Sequence, residues 1–271
     1  MQLPAGKKIY FLSDFHLGVP NHEASVEREK LIVQFLTEAE KDAAAIFIVG
    51  DAFDFWYEYK TVVPKGYVRL LGKLAQLTDS GIAVHFFVGN HDMWMQDYFT
   101  KELAIPVYFE AKDFTFNGCR FYIAHGDGLG PGDKGYKALK KLFRAPVPQW
   151  LFGLLPPRWG MGLARYFSGK SRAAAAGIQE RFLGEENEWL ITYSKEILAT
   201  AKDPVHFFVF GHRHLPIDFR LSSTPLSFGG GASRYINLGE WINYQTYAVF
   251  DGQHLELKSY TGKEDKIVRK R

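Results

Sequence analysis

The sequence predicts an α/β protein with a helical insertion, and three observations carry that prediction. Over the first 130 residues, strand-like and helix-like hydrophobic patterns alternate. The last 70 residues hold only short β-like runs separated by turns. Between them, at about residues 131–201, lies a helical stretch too long for an ordinary strand-to-helix connection.

Each element follows from its local pattern. Residues 8–12 (KIYFL) form a buried-strand signal that ends in Ser13-Asp14. Residues 23–41 read as a helix with Val26, Leu31, Phe35, Leu36 and Ala39 on its apolar face. Residues 45–49 (AIFIV) are a second strand, closed by Gly50-Asp51, and residues 68–77 a helix built on Leu70, Leu71, Leu74 and Leu77. Strands at 82–88 and 121–124 end in Gly89-Asn90 and His125-Gly126. These βαβ units argue for a largely parallel sheet. In the C-terminal part, residues 205–210 are a strand ending in Gly211-His212. Short runs at 216–221, 234–238, 244–250 and 255–260 suggest a second sheet packed on the first. Within the insertion, Pro146, Pro148, Pro156-Pro157 and Gly160 break the helices into short pieces before a longer helix at 173–199. Gly229–Gly231 lacks the Lys-Ser or Lys-Thr of a phosphate loop and reads as a turn. The charged tail, residues 262–271, reads as frayed.

Composition bounds the classes. With 271 residues, 46% hydrophobic and 23% charged, the chain is long enough for one large core with an insertion, residues 1–271 forming a single domain. The single cysteine, Cys119, excludes an internal disulfide and reads as a plain strand residue. No secretion signal precedes the first strand, and no apolar run reaches the 18 or more residues of a membrane span. A cytoplasmic protein, soluble or peripheral, is expected. The net charge of +3 is small for a uniformly basic nucleic-acid binder.

The strand ends carry the chemistry. In order they are Asp14-Phe15-His16, Gly50-Asp51, Gly89-Asn90-His91-Asp92, His125-Gly126-Asp127 and Gly211-His212-Arg213-His214. Sites in open α/β sheets assemble at the carboxyl ends of strands. Every cluster supplies Asp, Asn or His and none supplies Cys, a set that suits Mn, Fe, Zn or a similar divalent ion. His22, His85, His206 and His254 lie outside these clusters and read as structural.

This ordered set resembles the calcineurin-like metallophosphoesterases. The resemblance runs from Phe11 to Asn237 and implies a four-layer αββα sandwich holding two divalent metals, Mn2+ first, with Fe, Zn or Mg as alternatives. It implies Asp14, His16 and His214 on the first metal, Asp51 as the bridge, and Asn90, His125 and His212 on the second. His91 would act beside the scissile phosphate. Asp54 and Asp92 read either as carboxylates that orient ligand imidazoles or as turn residues. Three further stretches resemble the UDP-2,3-diacylglucosamine diphosphatases of lipid A biosynthesis. They are Phe53-Asp54-Phe55-Trp56, Asp133-Lys134-Gly135-Tyr136-Lys137, and the run Trp150-Leu151, Leu154-Leu155-Pro156, Arg158, Ala164-Arg165 and Ser168. That likeness implies hydrolysis of UDP-2,3-diacylglucosamine to UMP and 2,3-diacylglucosamine 1-phosphate, beneath a helical cap that sheathes the acyl chains. Substrate contacts would come from Asn90, His91, Trp56, Asp127, Tyr136, Arg165, Ser168, Lys170 and Arg172. His91 stands where the best-known branch of that family has Arg. The alternative is a soluble phosphodiesterase acting on a nucleotide or another small phosphate ester.

The charge distribution points the same way. Residues 134–181 hold ten Lys or Arg and one acid, Glu180, a net of +9 against +3 for the whole chain. Bulky apolar residues such as Leu142, Trp150, Leu154 and Trp159 are interleaved with them. Basic and apolar residues mixed on short helices suit an anionic lipid surface, with about 1 kcal/mol from each basic residue near it. The resemblance places such a protein in the cytoplasm, peripheral to the inner membrane of a Gram-negative bacterium, with no nucleic-acid partner.

Overall fold

The computed structural model describes residues 1–132, 134–175, 181–222 and 232–270, with the backbone alone for residues 165, 167 and 170–175. Two six-stranded sheets form its centre. In the first, β1 (Lys8–Leu12), β2 (Ala43–Val49), β3 (Ala83–Phe87) and β4 (Val107–Tyr108) run parallel in chain order. The second contains β5 (Lys112–Phe116), β6 (Cys119–Ala124), β7 (Phe207–Phe210), β8 (Pro216–Arg220) and β9 (Arg234–Leu238), with β7 parallel to both β6 and β9. The chain then returns to the first sheet. β10 (Thr246–Phe250) pairs antiparallel with β1, and β11 (Leu255–Ser259) pairs antiparallel with β10. The sheets therefore do not divide the chain at its middle, as the sequence suggested, and both are mixed.

Alternation along the strands builds the layers. On β1, Ile9 and Phe11 face the second sheet, joining Phe47, Phe121, Val209, Ile236 and Phe250 in an apolar seam between the sheets. Tyr10 and Leu12 face outward, against Ile32, Phe35 and Leu36 of α1 (His22–Ala39) and Leu70, Leu74 and Leu77 of α2 (Val68–Asp79). On the outer face of the second sheet, Phe208, Phe210 and Ile217 pack on Leu190 and Ile191. The order helix, sheet, sheet, helix is the four-layer sandwich. The outer helices are locked by side-chain caps. Asn21 accepts the Ala24 N–H at 2.9 Å, and the buried Glu29 of α1 accepts the first N–H groups of α2, from Arg69 and Leu70.

A short helix, α3 (Tyr98–Glu102), precedes β4. Three helices then leave the sandwich: α4 (Lys134–Arg144), α5 (Pro146–Gly153) and α6 (Pro157–Ala175). Pro146 and Pro157 open α5 and α6, where a missing N–H costs no hydrogen bond. These helices rest on the β2–α2 and β3–α3 loops. Trp94 Nε1 donates to Phe143 O at 2.7 Å, Tyr57 Oη to Gln149 O at 2.8 Å, and Phe152 and Ala164 pack on Tyr57.

Two expectations are corrected. The helix predicted over 173–199 is not continuous. Residues 181–188 are turns, with Gly184 at φ +91°, and a separate helix, α7 (Trp189–Thr200), starts after Glu188. The tail is not frayed. After a 3-10 turn at Glu264–Lys266, β12 (Val268–Lys270) adds parallel to β8, Ile267 is buried, and Arg269 Nη2 donates to Leu257 O at 3.0 Å. Its charges face solvent while its backbone completes a sheet edge. Gly229–Gly231 lies outside the described residues.

Phe121 sits at the middle of the inter-sheet seam, fully buried between Phe11, Phe207 and Phe250. Phe121→Ala is expected to lower unfolding free energy by about 3–5 kcal/mol, seen as a shifted denaturant midpoint at unchanged slope.

Candidate metal centre

Each donor cluster follows directly on a strand: Asp14 and His16 after β1, Asp51 after β2, Asn90 and His91 after β3, His125 after β6, and His212 and His214 after β7. The two sheets thus deliver their carboxyl ends to one place. Asp14, His16, Asp51, His212 and His214 all take left-handed backbone angles, φ +44° to +64°. That conformation costs about 1–2 kcal/mol for a residue with a side chain. The loops hold it by cross-bonding. Asp14 N donates to Gly50 O, His16 N to Asp51 O, and Gly211 N to His125 O, at 2.9–3.0 Å. Gly50 is required here: its φ is +86°, and a Cβ would run into the His125 imidazole.

Two groups of donors result. In the first, His16 Nε2 lies 3.1 Å from His214 Nε2, 3.6 Å from Asp14 Oδ1 and 3.8 Å from Asp51 Oδ2, and His214 Nε2 lies 3.2 Å from Asp14 Oδ1. In the second, His125 Nε2 lies 3.2 Å from Asp51 Oδ2 and 3.3 Å from Asn90 Oδ1. His212 joins Asp51 and His125 in that group. Asp51 belongs to both.

The donors fit a divalent cation. Among the described residues, Asp14 Oδ1 is buried with no hydrogen-bond partner. His125 Nδ1 lies 2.8 Å from Val49 O, and because a carbonyl only accepts, that nitrogen carries the proton. In the neutral ring, Nε2 then presents a lone pair to the Asp51 carboxylate. Two acceptors at 3.2 Å need a cation between them. In the metal-free chain that cation is a proton. Burial works against the charged ring, but the Asp51 carboxylate outweighs it and raises His125 to about 10. His16 and His212 go the other way, lowered to about 4 by burial. Asp14 and Asp51 stay well below the usual carboxylate range, since the surrounding imidazoles overcome the upward pull of burial.

The remaining predicted residues fall into distinct places. The His91 N–H donates to Asp51 Oδ1 at 2.8 Å. Its ring Nδ1 lies 2.9 Å from Asp54 O and 3.1 Å from Ser168 Oγ, so α6 reaches the centre at Ser168. Asp127 is buried under α4, held by Tyr136 Oη at 2.8 Å and Lys140 Nζ at 2.7 Å. Trp56 does not reach the centre. It is fully buried among Phe53, Tyr98 and Phe99, with Nε1 on Glu58, so no face is left for a substrate. Asp92 does not orient an imidazole. Its carboxylate accepts the Gly89 and Ala52 N–H groups at 2.7 and 2.9 Å, tying the β2 and β3 loops together. Burial, with Asp51 nearby, raises its pKa to about 7. The side chains of Arg165, Lys170 and Arg172 lie outside the described residues.

Several supporting residues escaped the sequence reading. Ser13 Oγ bonds both Asp14 Oδ2 and Val49 O. From α1, the buried Arg28 donates to His16 O at 2.7 Å. Asn237 Nδ2 donates to Gly211 O. Ser13 was legible as a neighbour of Asp14; Arg28 and Asn237 carry no local signal.

The His125 proton gives a pH dependence with a defined sign. Below about 10 the metal-free ring is charged, and a ligand nitrogen must be bare, so metal binding expels the proton. The Asp14 carboxylate likewise raises His214, so near pH 7 calorimetry of Mn2+ binding in buffers of different ionisation enthalpy is expected to show proton release on binding, with affinity rising as pH rises. Binding with no proton release would contradict this assignment.

Comparison with known proteins bears on the same residues. Residues 7–216 match the calcineurin-like phosphoesterase family. The UDP-2,3-diacylglucosamine hydrolase of Porphyromonas gingivalis is 41% identical over 266 residues, covering 93% of this chain and 97% of its own. The protein of that name from Edwardsiella ictaluri is 29% identical, covering 96% of each chain. Among solved structures, Vps29 of Entamoeba histolytica is 12% identical with a TM-score of 0.39, over 92% of this chain and 89% of its own. The match over residues 7–216 takes in all five donor clusters, and with relatives alike from end to end, this chain belongs to the calcineurin-like phosphoesterase family of metal-dependent hydrolases.

Proposed function

We propose that the chain hydrolyses the pyrophosphate of UDP-2,3-diacylglucosamine, giving UMP and 2,3-diacylglucosamine 1-phosphate, from the cytoplasmic face of a Gram-negative inner membrane. The observation that carries this reading is a band of exposed apolar side chains on the helices nearest the centre. Leu142, Val147, Trp150, Leu151, Leu154 and Trp159 are each more than half exposed along α4–α6, and the same helices reach His91 through Ser168. A soluble phosphodiesterase acting on small esters has no use for such a band. The name of the Porphyromonas gingivalis relative supports the same substrate.

In this reading α4–α6 are a cap over one catalytic sandwich. Asp14, His16 and His214 hold one ion, Asn90, His125 and His212 the other, and Asp51 bridges. Two divalent cations, Mn2+ foremost, with Fe, Zn or Mg as alternatives, would neutralise charge on the phosphoryl oxygens and acidify a water toward a pKa of about 7. His91 would lie beside them. Its Nδ1 faces the Asp54 carbonyl, which leaves Nε2 as the ring atom available to a phosphoryl oxygen or to the departing phosphate. Tyr136, Asp127, Arg165, Ser168, Lys170 and Arg172 remain the proposed substrate-side residues. Asp127 acts by fixing α4 against β6.

Membrane contact is peripheral in this reading; among the described residues no helix is long and apolar enough to cross a bilayer. Part of the basic charge is already used. Lys137 bonds Gly130 O, Lys140 bonds Asp127, and Arg144 bonds Glu110 and Phe109 O. Lys134, Lys141 and Arg158 are exposed on α4 and α6, the helices that carry exposed apolar side chains.

The direct test is turnover with Mn2+ present. UDP-2,3-diacylglucosamine is expected to release UMP; release from an aryl phosphodiester alone would overturn the assignment in favour of a small-ester phosphodiesterase. Asp51→Ala is expected to lose metal and activity together. His91→Ala is expected to keep metal while turnover falls roughly 10²–10⁴-fold; unchanged turnover would remove His91 from the reaction.

A further inference from the structure

The loop carrying His212 and His214 is gripped from behind by the start of α7, and the geometry points to Arg213 and Glu188 as positioning residues for both imidazoles. The inference rests on the metal assignment proposed above. Arg213, between the two histidines, is buried, with Nε 3.0 Å from Glu188 Oε2 and Nη2 3.1 Å from Glu188 Oε1. This is a fork-to-fork pair, which fixes direction as well as distance. Glu188 is equally buried and is itself tied down. Its Oε1 accepts the Leu183 N–H at 3.0 Å, and its backbone carbonyl accepts the N–H groups of Ile191 and Thr192 as α7 begins. The next residue, Trp189, meets the His212 ring edge to face at 6.4 Å, and the Arg213 guanidinium lies 5.9 Å from the same indole. Two consecutive residues of α7's start therefore clasp two consecutive residues of the loop.

The reason for the clasp lies in the backbone. His212 and His214 both sit at positive φ, +64° and +61°, so the arc between them is held against its own preference. On the side of the centre, the Asp14 carboxylate accepts the His212 N–H at 3.0 Å. Away from the centre, Arg213 ties the arc to another segment, through Glu188 and through the Arg181 carbonyl. One donor of this arc, His214, belongs to the first group, and the other, His212, to the second. One buried arginine, paired with Glu188, thus bears on the placement of a donor in each group. Stability alone does not call for it: a buried ion pair is often no more stabilising than apolar residues of similar size. What an apolar pair does not supply is direction.

That contrast gives the test. Mn2+ binding to the metal-stripped full chain is measured by calorimetry, alongside the melting temperature of the metal-free protein. Replacing both partners, Glu188→Leu with Arg213→Leu, leaves no unpaired charge. The double variant is expected to melt near the unaltered chain while affinity for both ions falls roughly 10–100-fold. Arg213→Lys keeps the charge without the fork, and its affinity is expected to fall by a smaller factor. Unaltered affinity for both ions in a folded double variant would overturn the proposal. If the double variant does not fold, Arg213→Lys decides: wild-type affinity there overturns it, reduced affinity at an unchanged melting temperature supports it. Failure of the unaltered chain to bind Mn2+ would instead bring down the metal assignment, and the pair's role with it.

Discussion

The whole structure turns on Asp51, a carboxylate buried where two sheets end. It accepts the His91 N–H on one oxygen and faces His16 and His125 with the other. A buried carboxylate without positive charge around it would protonate instead. This one stays ionised because the charged His125 ring, delivered by β6 of the second sheet, meets it where β1 of the first sheet delivers His16. Bringing them together requires the strand ends of both sheets to meet, and that in turn requires the inter-sheet seam of phenylalanines and aliphatic side chains behind them. The left-handed angles of the donor residues follow from the same demand. The chain must turn sharply at each strand end to aim a side chain back across the sheet edge, and the cross-loop hydrogen bonds offset the conformational cost.

What the sequence revealed and what it hid follow from the range of the interactions involved. β1, β2, α1 and α2 were legible because each is specified by its own apolar pattern. The donor residues were legible because each directly follows such a strand. The allocation of strands to sheets was not, because β10 pairs with β1 across more than two hundred residues, and nothing in the TYAVF stretch says so. The tail looked frayed because its side chains are charged; its order comes from backbone bonds to β8, which leave no mark on composition. Trp56 shows the reverse error. A likeness of sequence suggested a ligand contact, while the local packing with Phe53 and Phe99 makes it core.

The same distinction governs charge. Ten basic residues in the helical insertion read as a single positive face. In the fold, Lys137, Lys140 and Arg144 turn inward to carbonyls and carboxylates of the β6–α4 and β4–β5 connections. They hold α4 onto the sandwich and contribute little to the outward field. The apolar side chains of the same helices behave oppositely. Leu142, Trp150 and Trp159 stay exposed, while Phe152 and Ala164 pack on Tyr57. Basic residues that anchor and apolar residues that remain exposed are the inverse of an ordinary solvated helix.

Asp127 and Glu188 then take on a common meaning. Each lies at one root of the helical segment, and each binds a basic residue while adjoining the donor set: Asp127 next but one to His125, and Glu188 on Arg213 between His212 and His214. Asp127 receives Lys140 and Tyr136 from α4; Glu188 opens α7, where the segment rejoins the sandwich. Both roots of the segment are thus bonded into the loops that carry ligands of the second donor group. The two joints are carboxylates that composition alone would count as ordinary surface acids.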